Sequence, residues 1–285
     1  MSEIKLSLKN VSYTYGEGTP FEIKALNNVS LDIKSDKITG IIGHTGSGKS
    51  TLVQMLNGLL KPTTGQVILD GTDIWEKPKE ISKVRYKVGL VMQYPEYQLF
   101  EETVKKDIAY APTNMGLGEE EIENRVFEAA DFAGVDSSLL DKSPFDLSGG
   151  QKRRVAIAGI MAMRPDVLVL DEPAAGLDPR GKNLILSGIK EYQKKTGAAV
   201  VLVSHSMEDM AKYCDEIVVM ASSGIVMQGS CDEVFSKASS LADIGLDIPQ
   251  IAKLMACLKD KGINVSDSVY TIDAAYDELI KLFQK

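Results

Sequence analysis

The sequence predicts an α/β protein with a mostly parallel central sheet, an antiparallel β region ahead of it and a helical tail behind. Three observations carry this expectation. A short apolar strand, Ile38 to Ile42, runs directly into a glycine-rich loop and then into an apolar-periodic helix marked by Leu52, Val53 and Leu56. Val167 to Asp171 and Ala199 to Ser204 are almost continuously apolar, as strands covered on both faces must be. Residues 4 to 36 instead alternate, with Leu6/Leu8, Val11/Tyr13/Tyr15 and Val29/Leu31/Ile33 separated by polar positions and a turn at Gly16 to Pro20.

The remaining elements follow in order. Gly65 to Asp73 gives a strand and a turn, and Lys87 to Met92 gives an apolar strand closed by Gln93. Between Glu101 and Ala133 the period lengthens to that of a helix. Ile122, Val126, Ala129, Ala130 and Ala133 share a face, Glu119 to Glu121 suit the positive end of the dipole, and Gly134 stops the run. A second helix starts near Gly150 and carries Val155, Ile157, Ala158 and Met161. A helix from about Gly181 to Thr196 ends at Gly197, and Ile217 to Ala221 with Ile225 to Gln228 reads as a hairpin around Ser222-Ser223-Gly224. The tail holds two amphipathic helices, roughly Pro249 to Lys261 and Ile272 to Phe283, the latter striped by Ile272, Ala275, Tyr276, Leu279 and Phe283.

Composition narrows the function classes. A chain of 285 residues that is 44% hydrophobic can bury a full-sized core. No apolar run approaches the roughly 18 residues of a membrane span, and Met1 to Lys5 lacks a signal-peptide plan, so a membrane role is expected only through a partner. The formal net charge of −8 argues against generic affinity for nucleic acid. Cys214, Cys231 and Cys257 are dispersed without metal-ligand spacing and read as thiols in a reducing cytoplasm.

The chemistry begins in Gly43-His44-Thr45-Gly46-Ser47-Gly48-Lys49-Ser50-Thr51, which has the Gly-x4-Gly-Lys-Ser spacing of a phosphate-binding loop in its required strand-to-helix setting. The glycines let successive N–H groups turn inward on phosphate oxygens at a helix N-terminus. Lys49 would reach the β- and γ-phosphates and Ser50 would ligate Mg²⁺. The loop therefore predicts binding of a nucleoside triphosphate. His44 occupies a variable position of the loop and reads as solvent-facing. Asp171 closes an apolar strand and Glu172 follows it, where one carboxylate can hold Mg²⁺ and the next polarise the attacking water. His205 follows another buried strand at its C-terminal edge, where α/β ligand sites form. Ser148, Gly149 and Gly150 open a helix, offering a hydroxyl, free N–H groups and a positive dipole end to an anion.

With Tyr15, Gln93, Leu147-Ser148-Gly149-Gly150-Gln151, Asp171-Glu172, Ala175 to Asp178 and His205 in one order, the chain resembles the ATP-binding cassette ATPases over about residues 4 to 230. The Leu147 to Gln151 pentapeptide matches the family's signature without a departure. The resemblance implies a P-loop NTPase core (RecA-like, mostly parallel sheet) with an N-terminal antiparallel β subdomain, a helical signature subdomain at about 95–163 and a small C-terminal helical extension. The cassette domain would span 1–230 and the extension 231–285. It further implies that Tyr15 stacks on adenine, that Gln93 senses the γ-phosphate and the transmembrane partner and contributes to the Mg²⁺ site, that Glu172 is the base with His205 as its linchpin, and that Asp178 bridges a dimer. Ser148, Gly149, Gly150 and Gln151 would face the ATP held by a partner's loop, so two chains would sandwich two nucleotides.

A narrower likeness lies in Gln93 to Val104, Asp107 to Pro112 and Gly245 to Pro249, which are similar to the ATPases of energy-coupling factor transporters, closer to the second of their two paired types. It implies an importer of a vitamin or transition-metal ion, peripheral on the cytoplasmic face of the cell membrane. The partners would be a second cassette ATPase, either homologous or identical, a membrane coupling subunit contacting Tyr94 to Phe100, and a substrate-binding membrane subunit reached indirectly. Glu96 would pair with an arginine of the coupling subunit.

A soluble cassette ATPase of DNA repair or chromosome maintenance would insert a long coiled coil between Lys49 and Leu147, and none is present. A translation-associated cassette protein would repeat the motifs. A GTPase would carry an Asn-Lys-x-Asp motif, and a non-catalytic interaction protein would show a degenerate catalytic position; neither is found.

Overall fold

The computed structural model describes residues 3–266 and 268–283. The alternating N-terminal segment forms β1 (Ile4–Tyr15) and β2 (Ile23–Lys34), an antiparallel pair in which Leu8 faces Leu31 and Tyr15 faces Ile23. Leu6, Leu8, Val11, Leu26, Val29, Leu31 and Ile33 are buried on its inner face. The apolar strand β3 (Ile38–Gly43) then leads into α1 (Lys49–Leu56). After it, β4 (Thr64–Leu69) and β5 (Thr72–Asp73) complete a four-stranded sheet in the order β2-β1-β4-β5.

The short helix α2 (Ile81–Lys87) precedes β6 (Val88–Val91), and three helices follow: α3 (Val104–Asn114), α4 (Glu119–Ala133) and α5 (Gly149–Met161). Gly134 terminates α4 with φ +67°, a left-handed conformation that glycine adopts without a Cβ clash. The chain continues through β7 (Val167–Asp171), α6 (Pro179–Thr196), β8 (Ala199–Val203), α7 (Met207–Tyr213) and the hairpin β9 (Glu216–Ala221) and β10 (Gly224–Gly229). The tail forms α8 (Cys231–Phe235), α9 (Ala238–Asp243), α10 (Gln250–Asp260) and α11 (Ile272–Phe283).

The second sheet runs β10-β9-β3-β8-β7-β6, parallel except at the β10 edge. Its strands feed two cores. Ile38, Ile42, Leu168, Leu170, Val200, Leu202, Ile217 and Val219 face the helices α4 to α7. Ile41, Val167, Val169, Val201, Val203 and Val218 face α1 and the antiparallel sheet. Both faces exclude water, so the strands read as continuous apolar runs.

Several expectations are sharpened. The helix expected from Gly181 starts at Pro179, because Asp178 accepts from the Gly181 N–H (2.7 Å) as N-cap and proline is preorganised for the first helical position. The stripe of α11 is only half used. Ala275 is buried and Leu279 packs beside it, whereas Ile272 and Tyr276 are 73% and 64% exposed. The side chain of Phe283 lies outside the described residues. The extension is not independent of the main core, since Leu241, Leu246, Ala252 and Tyr270 join the helix-side cluster. Cys214 is buried, Cys231 half-buried and Cys257 exposed, all as free thiols. Among the described residues, no helix is long and apolar enough to cross a membrane.

Candidate active site

The loop after β3 is built around close backbone approaches. Gly48 has φ +100°, and a Cβ there would run into the Ala25 carbonyl of β2, so only glycine lets α1 begin where it does. No side chain caps this N-terminus, which leaves its N–H groups directed at the cleft in front of it. Lys49 is buried, and its Nζ donates to the carbonyls of Gly43 (2.7 Å) and His44 (3.0 Å). Burial pulls the Lys49 pKa down, opposed by the charges of Glu172 and Asp171. His44 is exposed, as its variable position predicted, with Nδ1 2.7 Å from the Thr45 carbonyl.

The carboxylates stand at the C-terminal ends of the central strands. Asp171 ends β7 opposite Val203 of β8 and is almost fully buried. Burial raises its pKa, while a hydrogen bond from Ser50 and the charges of Lys49 and His205 hold it down. Glu172 leaves the strand with φ +53°, rare for a residue with a long side chain and costing about 1–3 kcal/mol, and its N–H is tied to the Val203 carbonyl at 3.0 Å. Burial, with the Asp171 charge behind it, pushes the Glu172 carboxyl up to about 7 against the pull of Lys49 and the His205 amide. One oxygen, Oε1, is buried without a hydrogen bond. His205 Nε2 lies 3.5 Å from it, and burial and the Lys49 charge lower the imidazole pKa.

A cleft of about 410 Å³ brings the expected residues together: Tyr15, Thr45, Gly46, Gly48, Lys49, Ser50, Thr51, Gln93, Asp171, Glu172 and His205 all line it. Tyr15 sits at one end, its hydroxyl 3.2 Å from Thr51 Oγ1 and its ring edge-on to Tyr13. Gly43, His44 and Ser47 shape the loop without lining the cleft, Ser47 being fully buried. Ser148, Gly149, Gly150, Gln151 and Asp178 do not line it either. Ser148 accepts from the Gln151 N–H and Gln151 Oε1 accepts from the Ser148 N–H, a reciprocal cap that holds the start of α5 on an exposed surface.

Two features escape sequence reasoning. Ile23, Lys24 and Ala25 also line the cleft, because the β1–β2 register sets Ile23 against Tyr15. The alternation of β2 was the available signal. Glu96 does not await a cation from elsewhere. Arg153 of α5 donates to it twice, from Nε (2.9 Å) to Oε2 and from Nη2 (2.7 Å) to Oε1, with both side chains largely buried. The expected pairing of Glu96 with a partner's arginine is therefore corrected, since its carboxylate is already neutralised inside the chain.

A phosphate loop feeding a parallel sheet, with an acidic pair and a histidine at the strand ends, defines a P-loop nucleoside triphosphatase. The model of the ABC transporter family matches residues 26–175, and the chain belongs to that family. It is 52% identical over 280 residues to the energy-coupling factor transporter ATP-binding protein EcfA2 of Clostridium acetobutylicum, covering 98% of each chain. It is equally 52% identical to the EcfA2 protein of Caldanaerobacter subterraneus subsp. tengcongensis, covering 97% of this chain and 96% of that one. Among solved structures it is similar to cbiO1 of Clostridium perfringens, part of the ABC transporter complex cbiONQ (TM-score 0.76, 39% identity, covering 89% of this chain and all of that one). It is also similar to the ATP-binding cassette MJ0796 in a dimeric post-hydrolysis state bound to ADP and Pi (TM-score 0.72, 30% identity, covering 79% and 98%).

Proposed function

We propose that this chain is the ATP-hydrolysing subunit of an energy-coupling factor importer, powering uptake of a vitamin or transition-metal ion through a partner membrane subunit. The observation that carries the reading is the split of the motifs: Lys49, Ser50, Asp171, Glu172 and His205 share one cleft, while the capped start of α5 at Ser148 stands outside it. Near-full-length likeness to EcfA2 proteins supports the transport assignment over a soluble repair or translation role.

Each residue then has a task. Tyr15, with Ile23 opposite, would take the adenine ring, and Gly43 to Thr51 the phosphates. Ser50 and Asp171 offer a hydroxyl and a carboxylate already hydrogen-bonded to each other, an all-oxygen pair suited to Mg²⁺. Bound there, Mg²⁺ would neutralise charge developing on the phosphates. Gln93 would sense the γ-phosphate. Glu172 accepts a proton from the attacking water through its unpartnered oxygen, and His205 holds that carboxylate in place. Ser148 to Gln151 and Asp178 would act across an interface with a second cassette subunit, homologous or identical.

In this scheme residues 1–230 form the cassette, 95–163 its helical part and 231–285 the extension, peripheral on the cytoplasmic membrane face. ATP binding closes two cassettes, closure moves membrane segments docked at Tyr94 to Phe100, and hydrolysis reopens the pair. The test is size-exclusion of Glu172→Gln protein with its partner ATPase. Association tightened by Mg-ATP supports the reading, and association indifferent to nucleotide sinks it.

A further inference from the structure

The buried guanidinium of Arg153 holds three things at once. Besides its two bonds to Glu96, Nη1 donates to the Ala175 carbonyl, and the guanidinium carbon stands 5.8 Å from the centre of the Tyr94 ring. Arg153 is only 4% exposed, so this is an interior junction rather than a surface ion pair.

Both segments it joins return to the active-site cleft. On one side, Gln93 lines the cleft, Tyr94 turns the chain with φ +58°, and the single helical turn Pro95–Gln98 carries Glu96. On the other, the Ala175 N–H donates to the Glu172 carbonyl at 3.3 Å, and three residues later Asp178 caps α6. Glu172 and Tyr94 are both left-handed, conformations that persist only when the surroundings over-determine them. Arg153 touches the Tyr94 ring directly and reaches the Glu172 turn one step removed, through the Ala175 carbonyl. The outer face of the first segment is aromatic and exposed, with Tyr94 at 50%, Tyr97 at 84% and Phe100 at 56%.

We propose that Arg153 is a positioning residue that couples the Tyr94 to Phe100 surface to the turn carrying Glu172 and Asp178. A displacement of that surface shifts Glu96, and the planar fork of Arg153 passes it to the Ala175 carbonyl and so to the backbone of Glu172. Lysine could keep the charge but not the three-way geometry, because an ammonium lacks the rigid fork. The inference deepens the proposed transport function, since it gives a docked membrane subunit a route to hydrolysis.

Its test does not depend on transport. Glu96→Gln alters only the outer end of the junction, and the amide oxygen still accepts from Arg153, which keeps the fold. Hydrogen exchange should then accelerate by roughly five- to tenfold in residues 172–178, the scale of a coupling carried by a packed network. In the same variant, kcat for ATP hydrolysis should fall by a similar factor while KM stays close to wild type, and the melting temperature should drop because the buried guanidinium loses its counter-charge. Arg153→Lys should loosen both segments together. Exchange confined to residues 94–100 in Glu96→Gln, or an unchanged kcat, overturns the coupling even if the importer assignment stands. Failure of nucleotide-driven pairing would instead strike the assignment alone.

Discussion

His205 Nε2 stands 3.5 Å from Glu172 Oε1, and the two side chains meet in unlike environments, 56% and 11% exposed. With the imidazole pKa lowered and the carboxyl raised, the pair is not a fixed ion pair near neutrality. His205 stands beside an oxygen that has no hydrogen-bond partner, and a carboxyl raised to about 7 suits the general base we propose Glu172 to be.

Replacing Glu172 with glutamine should lower turnover by about 10²–10⁴-fold and leave ATP affinity nearly unchanged. Single-turnover hydrolysis against nucleotide titration separates the two. A parallel loss of affinity would remove Glu172 from the role of base.

The same residue sets a pH dependence. Its carboxyl is raised from 4.5 to about 7, so the folded chain binds the extra proton more tightly than the unfolded chain. The resulting stability is full below the unfolded value and is lost as pH rises through about 7. Glu172→Gln should therefore melt higher than wild type at pH 8, by on the order of 2 kcal/mol, and the gap should close toward pH 4.5. Wild-type hydrolysis runs the opposite way and should fall as pH drops below 7, because the base must be ionised.

Tyr15→Ala should weaken nucleotide binding by about 1–3 kcal/mol, the usual cost of removing an aromatic platform from a base. Tyr15→Phe keeps the ring and loses only the contact to Thr51, so most affinity should return. Titration with a fluorescent ATP analogue distinguishes a stacking role from a hydroxyl role.

Ser148→Ala removes the side-chain cap of α5 and should cost about 1 kcal/mol of stability. Because Ser148 lies outside its own chain's cleft, ATP affinity of a single chain should not change. Hydrolysis by the assembled pair should drop by on the order of 10²-fold. Weakened ATP binding by the isolated chain would contradict a role across the interface.

Gly188 in α6 poses a contest between two effects. Helix propensity favours alanine there by about 1 kcal/mol, yet a Cβ would be driven into the Phe132 carbonyl of α4. Backbone overlap of that kind costs about 1–3 kcal/mol or more, so Gly188→Ala should be destabilised in a denaturant titration. A stabilised variant would show that α4 and α6 can separate freely.

What the sequence disclosed was local. The loop at Gly43 to Thr51, the Asp171-Glu172 pair and the Ser148 cap each lie within a few residues of one another, and their spacing dictates their geometry. Arg153 and Glu96 are 57 positions apart, and only the packing of α5 against Pro95–Gln98 brings them together. The strained backbone of Glu172 is likewise set by its bond to Val203 of the neighbouring strand. Ile23 enters the cleft through hairpin register, and Ile272 and Tyr276 stay exposed although periodicity assigned them inward. Periodicity names an apolar face but not the surface that covers it.

The two-faced sheet has a mechanical meaning. Val200 and Leu202 press on one core while Val201 and Val203 press on the other, so each strand is clamped from both sides like a plate between two blocks. Gln93, Asp171, Glu172 and His205 all project from one rim of that plate. Shortening a side chain on either face of β8, by Leu202→Ala or Val201→Ala, should shift the same rim, since close-packed interiors transmit strain instead of absorbing it. The alignment of the site thus belongs to the plate as a whole, and substitutions far from any nucleotide will detune it from either side.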